Sequence, residues 1–265
     1  VISSIKPDIV FHLASITPVS ESYEQPITYI QTNCVGTINL LEAIRKYAHE
    51  QVRLIAIAGT TELFDSEWIK PYDSFKPESP YAVSKTCEVY YAEYMHRAYG
   101  LPIVVVIPTN TYGRAFVNQP HYFIEKVITS LLRGEKVIRL GNPGAVRDWM
   151  FREDHVDAYI SIMNAVLNGK DGVLGRRFAF GTGFGYSTRE TAEMIRDVVS
   201  RYVDTNGAMF MWNTVSRPME SQKIVISMEA LKETKDALGW EARYGLERGV
   251  DQATREWMEV LNEKP

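Results

Sequence analysis

Residues 103–107 read Ile103-Val104-Val105-Val106-Ile107, and Pro108 follows them. All five are β-branched and apolar, with no polar residue alternating. Such a run predicts a strand buried on both faces. Working outward, 81–99 predicts a helix opened by Ser79-Pro80, because Pro suits a first helical turn. Leu54-Ile55-Ala56-Ile57-Ala58 predicts a second buried strand. The stretch 33–48 predicts a helix with Val35, Ile38, Leu41 and Ile44 on one face, and 9–14 (Ile9-Val10-Phe11-His12-Leu13-Ala14) another buried strand. Strands alternating with helices predict an α/β fold, a Rossmann-like doubly wound parallel sheet. Beyond Pro108 the pattern loosens into helices at 123–133, 155–167 and 188–201, separated by Gly-rich turns and short strands. These predict a smaller C-terminal lobe interleaved with the last strands of the sheet.

The 265 residues are 45% hydrophobic and 23% charged, so the chain can bury a core large enough to offset its conformational entropy. Two cysteines make no disulfide scaffold, and Cys34 and Cys87 are expected to be buried small hydrophobes. No apolar run has the roughly 20 residues of a membrane span. A net charge of −4 with both signs scattered argues against a nucleic-acid or anionic-membrane surface. His12, His49, His96, His121 and His155 are too dispersed for a metal site, and no metal is expected. The composition suits a cytoplasmic enzyme.

The chemistry centres on Tyr81-Ala82-Val83-Ser84-Lys85. Residues i and i+4 share a helix face, so Lys85 is expected beside the Tyr81 phenol. An ammonium there favours the phenolate and makes Tyr81 a usable base. The same spacing also suits a solvated helix face. The strand 54–58 runs into Gly59-Thr60-Thr61-Glu62, and ligands in open α/β sheets sit at the carboxyl ends of strands. A Thr hydroxyl and a carboxylate there would face Tyr81, although a capped turn accounts for them equally well.

With these residues in place the sequence resembles the extended short-chain dehydrogenase/reductase family, the NAD-dependent nucleotide-sugar epimerases and dehydratases. His12-Leu13-Ala14-Ser15 resembles the loop after the family's fourth strand. Asn33-Cys34-Val35-Gly36-Thr37 with Leu40-Leu41-Glu42-Ala43 resembles its next helix. Ser79-Pro80-Tyr81 through Lys85 resembles the catalytic helix, and Pro108-Thr109-Asn110-Thr111-Tyr112-Gly113 the loop at nicotinamide and sugar. Arg147-Asp148-Trp149, Glu153-Asp154-His155-Val156, Arg217-Pro218 with Glu220, and Leu238-Gly239-Trp240 resemble the substrate lobe. Thr60-Thr61-Glu62 is similar to the Thr-x-Glu element of 4,6-dehydratases, though nucleotide-sugar decarboxylases also carry such a Glu. Val19 and Ser22-Tyr23-Glu24-Gln25-Pro26 look like GDP-mannose 4,6-dehydratase. His121, Glu125-Lys126 and Arg147-Asp148-Trp149 look more like dTDP-glucose 4,6-dehydratase.

The resemblance implies a 4,6-dehydratase acting on a nucleoside-diphosphate hexose, with a 4-epimerase or decarboxylase as alternatives. In its mechanism Tyr81 takes the proton of the sugar 4-hydroxyl while hydride moves from C4 to NAD, and Thr60 bonds the same oxygen. Glu62 then removes the C5 proton, water leaves from C6, and the hydride returns to C6. Lys85 holds the nicotinamide ribose and tunes Tyr81. The resemblance assigns Leu13, Ala14, Ser15, Asn33, Ala58, Tyr81, Lys85 and Pro108 to the cofactor, NAD or alternatively NADP. It assigns Ser22, Asn110, Lys126, Arg147, Arg217 and Glu220 to the substrate, the guanidinium groups matching phosphate oxygens. It implies a homodimer through helices near 33–48 and 81–99. Residues 1–114 are expected to be the remainder of an NAD-binding domain, and 115–265 mostly the substrate lobe.

One part of the pattern is missing. No Gly-x-x-Gly-x-x-Gly follows a first strand, and no acidic residue ends a second one. The family places these in about two βα units of roughly 30 residues each, ahead of the strand 9–14. Without them that strand is expected to be an edge needing cover. A non-catalytic remnant that binds nucleotide sugar or a partner chain is therefore a further alternative. Gly181-Thr182-Gly183-Phe184-Gly185-Tyr186 is no substitute, because Tyr186 stands where the third Gly is needed. Ser187-Thr188-Arg189-Glu190 instead predicts a capping box on the next helix.

Overall fold

The computed structural model describes residues 1–64, 67–114, 122–214 and 218–262. In chain order the N-terminal elements are α1 (Ile2–Ile5), β1 (Ile9–His12), α2 (Val19–Ser22), α3 (Pro26–Tyr29), α4 (Gly36–Tyr47), β2 (Leu54–Ala58), α5 (Pro80–Tyr99), β3 (Ile103–Pro108) and β4 (Asn110–Tyr112). They are followed by α6 (Phe123–Leu132), β5 (Val137–Arg139), β6 (Val146–Phe151), α7 (Arg152–Leu167), β7 (Arg177–Phe180) and β8 (Gly185–Ser187). The chain ends with α8 (Thr188–Val199), β9 (Met209–Met211), β10 (Lys223–Ile224), α9 (Met228–Leu238) and α10 (Leu246–Asn262).

The main sheet has the order β1-β2-β3-β7 with every pairing parallel. All six residues of β3 are buried. Alternate side chains point to opposite faces. Ile103, Val105 and Ile107, with Ile55 and Ile57 of β2, pack on Leu41 and Ile44 of α4 and Val89, Ala92 and Met95 of α5. Val104 and Val106, with Leu54 and Ala56, pack on Ala158, Ile162 and Ala165 of α7 and on Trp240. Each such branched side chain stabilises the fold by about 1.5–3 kcal/mol when fully buried. The second sheet, β10-β6-β4 with β8 antiparallel on β6, stands beside a separate core under α6, α8 and α10. Strand β7 lies far along the chain yet joins the first sheet next to β3.

The structure corrects several expectations. The first strand stops at His12 rather than 14, and it is not buried: Phe11 is 40% exposed. Among the described residues strand β1 pairs only with β2, and no strand lies along its other edge. In the second helix a π-helical turn, Ile30–Val35, precedes α4. Its wider winding rotates the stripe. Cys34, Thr37, Leu41 and Ile44 face inward, while Val35 is 43% exposed. Cys34 and Cys87 are not separate small hydrophobes but are joined as a disulfide between that turn and α5. The helix expected at 155–167 starts earlier, at Arg152.

Local signals elsewhere match. Ser79 caps α5 by accepting from the Ala82 N–H, with Pro80 in the first turn. Ser187 and Glu190 form a reciprocal capping box on α8. Among the described residues no helix is long and apolar enough to cross a membrane.

Candidate active site

The carboxyl ends of β1, β2 and β3 open into a cavity of about 660 Å³ that reaches across to β4, α6 and β6. Thr60, Glu62, Tyr81 and Lys85 all line it. Thr60 follows β2 and caps a 3₁₀ turn by accepting from the Glu62 N–H at 3.2 Å. Its hydroxyl also faces Tyr81, where it favours the charged form of the phenol. Tyr81 sits in the first turn of α5, and burial, with lesser effects from Glu62 and Glu88, pushes its phenol upward.

Lys85 lines the same cavity as Tyr81, and its ammonium is paired with a carboxylate. Nζ lies 2.5 Å from Glu88 Oε2, and both side chains are buried. Burial pushes Lys85 down, and it pushes Glu88 up to about 7. The Tyr81 phenol is raised rather than lowered, chiefly by burial, and Glu88 adds to that in a smaller way.

The expected cofactor residues divide. Leu13, Ser15, Ala58 and Pro108 line the cavity beside Tyr81 and Lys85. The Ser15 hydroxyl oxygen is buried without a protein partner. An apolar wall with an unsatisfied hydroxyl and a lysine fits the nicotinamide–ribose half of a dinucleotide. Ala14 is exposed and not part of the lining. Asn33 is also elsewhere: its side chain accepts from the Ile16 N–H at 2.8 Å and donates to Ile16 O and Ser84 Oγ. It staples the 13–17 loop to α5 and leaves nothing free for a ligand. The spacing Gly169-x-x-Gly172-x-x-Gly175 occurs, but it joins α7 to β7 at the wrong end of the strand for ligands.

Of the expected substrate residues, Asn110, Lys126, Arg147 and Glu220 line the cavity. Arg147 Nη2 lies 3.4 Å from Glu220 Oε1. Asn110 Oδ1 is buried without a partner. Lys126 Nζ donates to Arg139 O. Ser22 does not reach the cavity, because it is fully buried and donates to Val19 O. Arg217 and His121 lie outside the described residues.

The loop 181–185 is occupied from inside the protein. Asp148, fully buried, accepts from the Thr182 N–H and hydroxyl, the Gly183 N–H and the Ile226 N–H. Those donors are spent on an internal carboxylate.

Sequence reasoning gave no role to several lining or supporting groups. Glu88 is three residues from Lys85, a helix neighbour visible in the spacing. Glu125, in the first turn of α6, accepts from the Gly113 N–H at 2.7 Å, and its second oxygen is buried without a partner. Burial pushes its carboxyl up to about 7. His155 and Tyr159 on α7 also line the cavity, each with a buried atom lacking a partner.

A Rossmann-like sheet with Tyr, Lys and Thr at its carboxyl ends and a second lobe closing the cavity defines an α/β enzyme that handles a dinucleotide and a second ligand. The chain belongs to the GDP-mannose 4,6 dehydratase family, whose model matches residues 1–253. It is similar to dTDP-glucose 4,6-dehydratase of Xanthomonas campestris pv. campestris, 29% identical over 274 residues, covering 95% of this chain and 72% of the relative. Its fold is similar to that of Pal from Bacillus thuringiensis, with a TM-score of 0.82 and 27% identity over 97% of this chain and 78% of that one. It is also similar to a UDP-glucose 4-epimerase of Thermus thermophilus solved with NAD, with a TM-score of 0.80 and 25% identity over 97% and 79% of the two chains.

Proposed function

We propose that this chain is an NAD-dependent nucleotide-sugar 4,6-dehydratase acting on a nucleoside-diphosphate hexose through a 4-keto sugar. The observation that carries the reading is the meeting of Thr60, Glu62, Tyr81 and Lys85 in one cavity with Arg147 and Glu220. Bound NAD supplies a hydride acceptor that later returns the hydride. Tyr81 takes the proton of the sugar 4-hydroxyl, and Thr60 orients that oxygen. Glu62 takes the C5 proton once C4 is a ketone. Lys85 holds the ribose hydroxyls. Leu13, Ser15, Ala58 and Pro108 form the nicotinamide wall. Arg147 and Lys126 face the diphosphate, Asn110 the sugar and Glu220 the nucleoside. Residues 1–114 act as the cofactor side and 115–265 mostly as the substrate side.

A 4-epimerase is the second reading, favoured by the likeness to the Thermus thermophilus enzyme. The test incubates the chain with NAD and a panel of nucleoside-diphosphate hexoses and reads product masses. A product lighter by one water supports the dehydratase. Unchanged mass with inverted C4 replaces it by an epimerase, and loss of carbon dioxide from a uronic acid by a decarboxylase. Binding of nucleotide sugar without turnover would leave a non-catalytic binding protein. Calorimetric titration with NAD checks the cofactor.

The partner we propose is a second copy of the chain, docked through the helices near 33–48 and 81–99. Tyr47 on α4 and Val83, Tyr90, Tyr94 and Tyr99 on α5 are exposed there. Sedimentation of the chain checks this. We assign it to the cytoplasm.

A further inference from the structure

Lys85 and Glu88 form an ion pair with side chains 2% and 1% exposed. Pairs three residues apart on a solvated helix are worth a few tenths of a kcal/mol and need no explanation. This one is different, because two charges taken out of water incur a desolvation cost that their attraction only partly offsets. The place is also specific. Lys85 lines the cavity, whereas Glu88 does not, so the carboxylate stands behind the ammonium on the side away from the ligand.

The groups around the pair leave it isolated. His12, at the end of β1, bonds Thr37 Oγ1 at 2.7 Å, and Thr37 donates its own proton to Asn33 O. The imidazole is therefore the donor, and burial holds it neutral, its pKa lowered to about 4. Tyr159 approaches Glu88 from α7 with a buried hydroxyl that has no partner. Tyr81 on α5 also faces Glu88, with Glu62 acting on Tyr81 from after β2, and neither brings a positive charge.

We infer that Glu88 is a positioning residue for Lys85: its carboxylate holds Nζ and keeps the lysine protonated beneath the cavity. The inference rests on the dehydratase or epimerase reading for its consequence, but not for its test. A buried lysine without a counter-charge gives up its proton readily. A neutral Lys85 could neither hold ribose hydroxyls as a cation nor favour a Tyr81 phenolate. With Glu88 in place, the lysine stays charged at the wall of the cavity.

The test follows Lys85 itself. The chain is labelled with carbon-13 at lysine Cε, and the Lys85 signal, identified by its loss in Lys85→Arg, is titrated against pH in wild type and in Glu88→Gln. The expected result is a midpoint lower by about one pH unit or more in Glu88→Gln, a tenfold loss of proton affinity. An equal midpoint overturns the inference, even if Glu88→Gln melts at a lower temperature, because that would be a purely structural role. If Glu88→Gln does not fold, Glu88→Asp keeps the charge but shortens the reach by one methylene. It should show a smaller fall in the same direction, and no fall is again fatal. None of these readings needs cofactor or turnover, so a chain that turns over no nucleotide sugar would sink the proposed function and leave this result standing. Where turnover is measured, the alkaline limb of the kcat profile should move with the Lys85 midpoint, while KM for the nucleotide sugar stays within about twofold.

Discussion

The carboxylate of Asp148 holds Thr182 by two bonds, from its backbone N–H at 2.9 Å and from its hydroxyl at 2.6 Å. Its other oxygen takes the Gly183 N–H at 2.9 Å. One side chain on β6 thus ties down the turn after β7. Replacing Asp148 by Ala should destabilise the chain by about 3 kcal/mol or more, because several buried donors lose their acceptor. Asp148→Asn should cost less, since it keeps one acceptor oxygen. Gly181→Ala should also destabilise, because an added Cβ would sit 2.6 Å from Asp148 Oδ2. Urea denaturation of the three variants checks the order.

Asn33 is expected to matter for the cofactor without touching it. Asn33→Ala removes the bonds that hold the Ile16 backbone to α5, and with them the placement of Ser15. A stability loss of about 1–3 kcal/mol should accompany weaker binding of NAD, while nucleotide-sugar binding changes little. Paired calorimetric titrations with the two ligands read the difference.

Glu62→Gln separates the two halves of the proposed reaction. The loss of a positioned base should slow elimination of water by roughly 10²- to 10⁴-fold. Oxidation at C4 should continue, so reduced nicotinamide should accumulate by absorbance. Unchanged water loss would remove Glu62 from the mechanism.

Glu125 gives a pH signature. Burial disfavours its charged form and pushes the folded carboxyl up to about 7, above the ordinary glutamate value of about 4.5. The folded chain then binds this proton more tightly than the unfolded chain. The associated stability is fully present below the unfolded value and is lost as pH rises through the folded one. Glu125→Gln lacks that loss. Relative to the variant, wild type should weaken between about pH 4.5 and about pH 7, by on the order of 2–3 kcal/mol. Denaturation midpoints near the two ends of that window check it.

What the sequence determined by itself was everything set by neighbours along the chain. The β-branched run at 103–107 could only be a strand buried on both faces. Ser79-Pro80 marked the start of α5, Ser187 with Glu190 marked the start of α8, and the four-residue step from Tyr81 to Lys85 put both at the head of one helix. Each depends on local backbone geometry, which a few adjacent residues fix. Only the tertiary structure decided which groups meet. The Lys85 ammonium turns to Glu88 because burial leaves it no solvent, and spacing alone offers Tyr81 and Glu88 equally. Asn33 faces Ile16 and Ser84 rather than a ligand because a π-helical turn rotates its helix. Ser22 is buried, Cys34 meets Cys87, and Asp148 fills the turn at 181–183 across 34 residues of chain. Those contacts follow from how packed elements lie against one another, and a one-dimensional pattern does not record the rotation of a helix or the direction in which a buried side chain finds its partner.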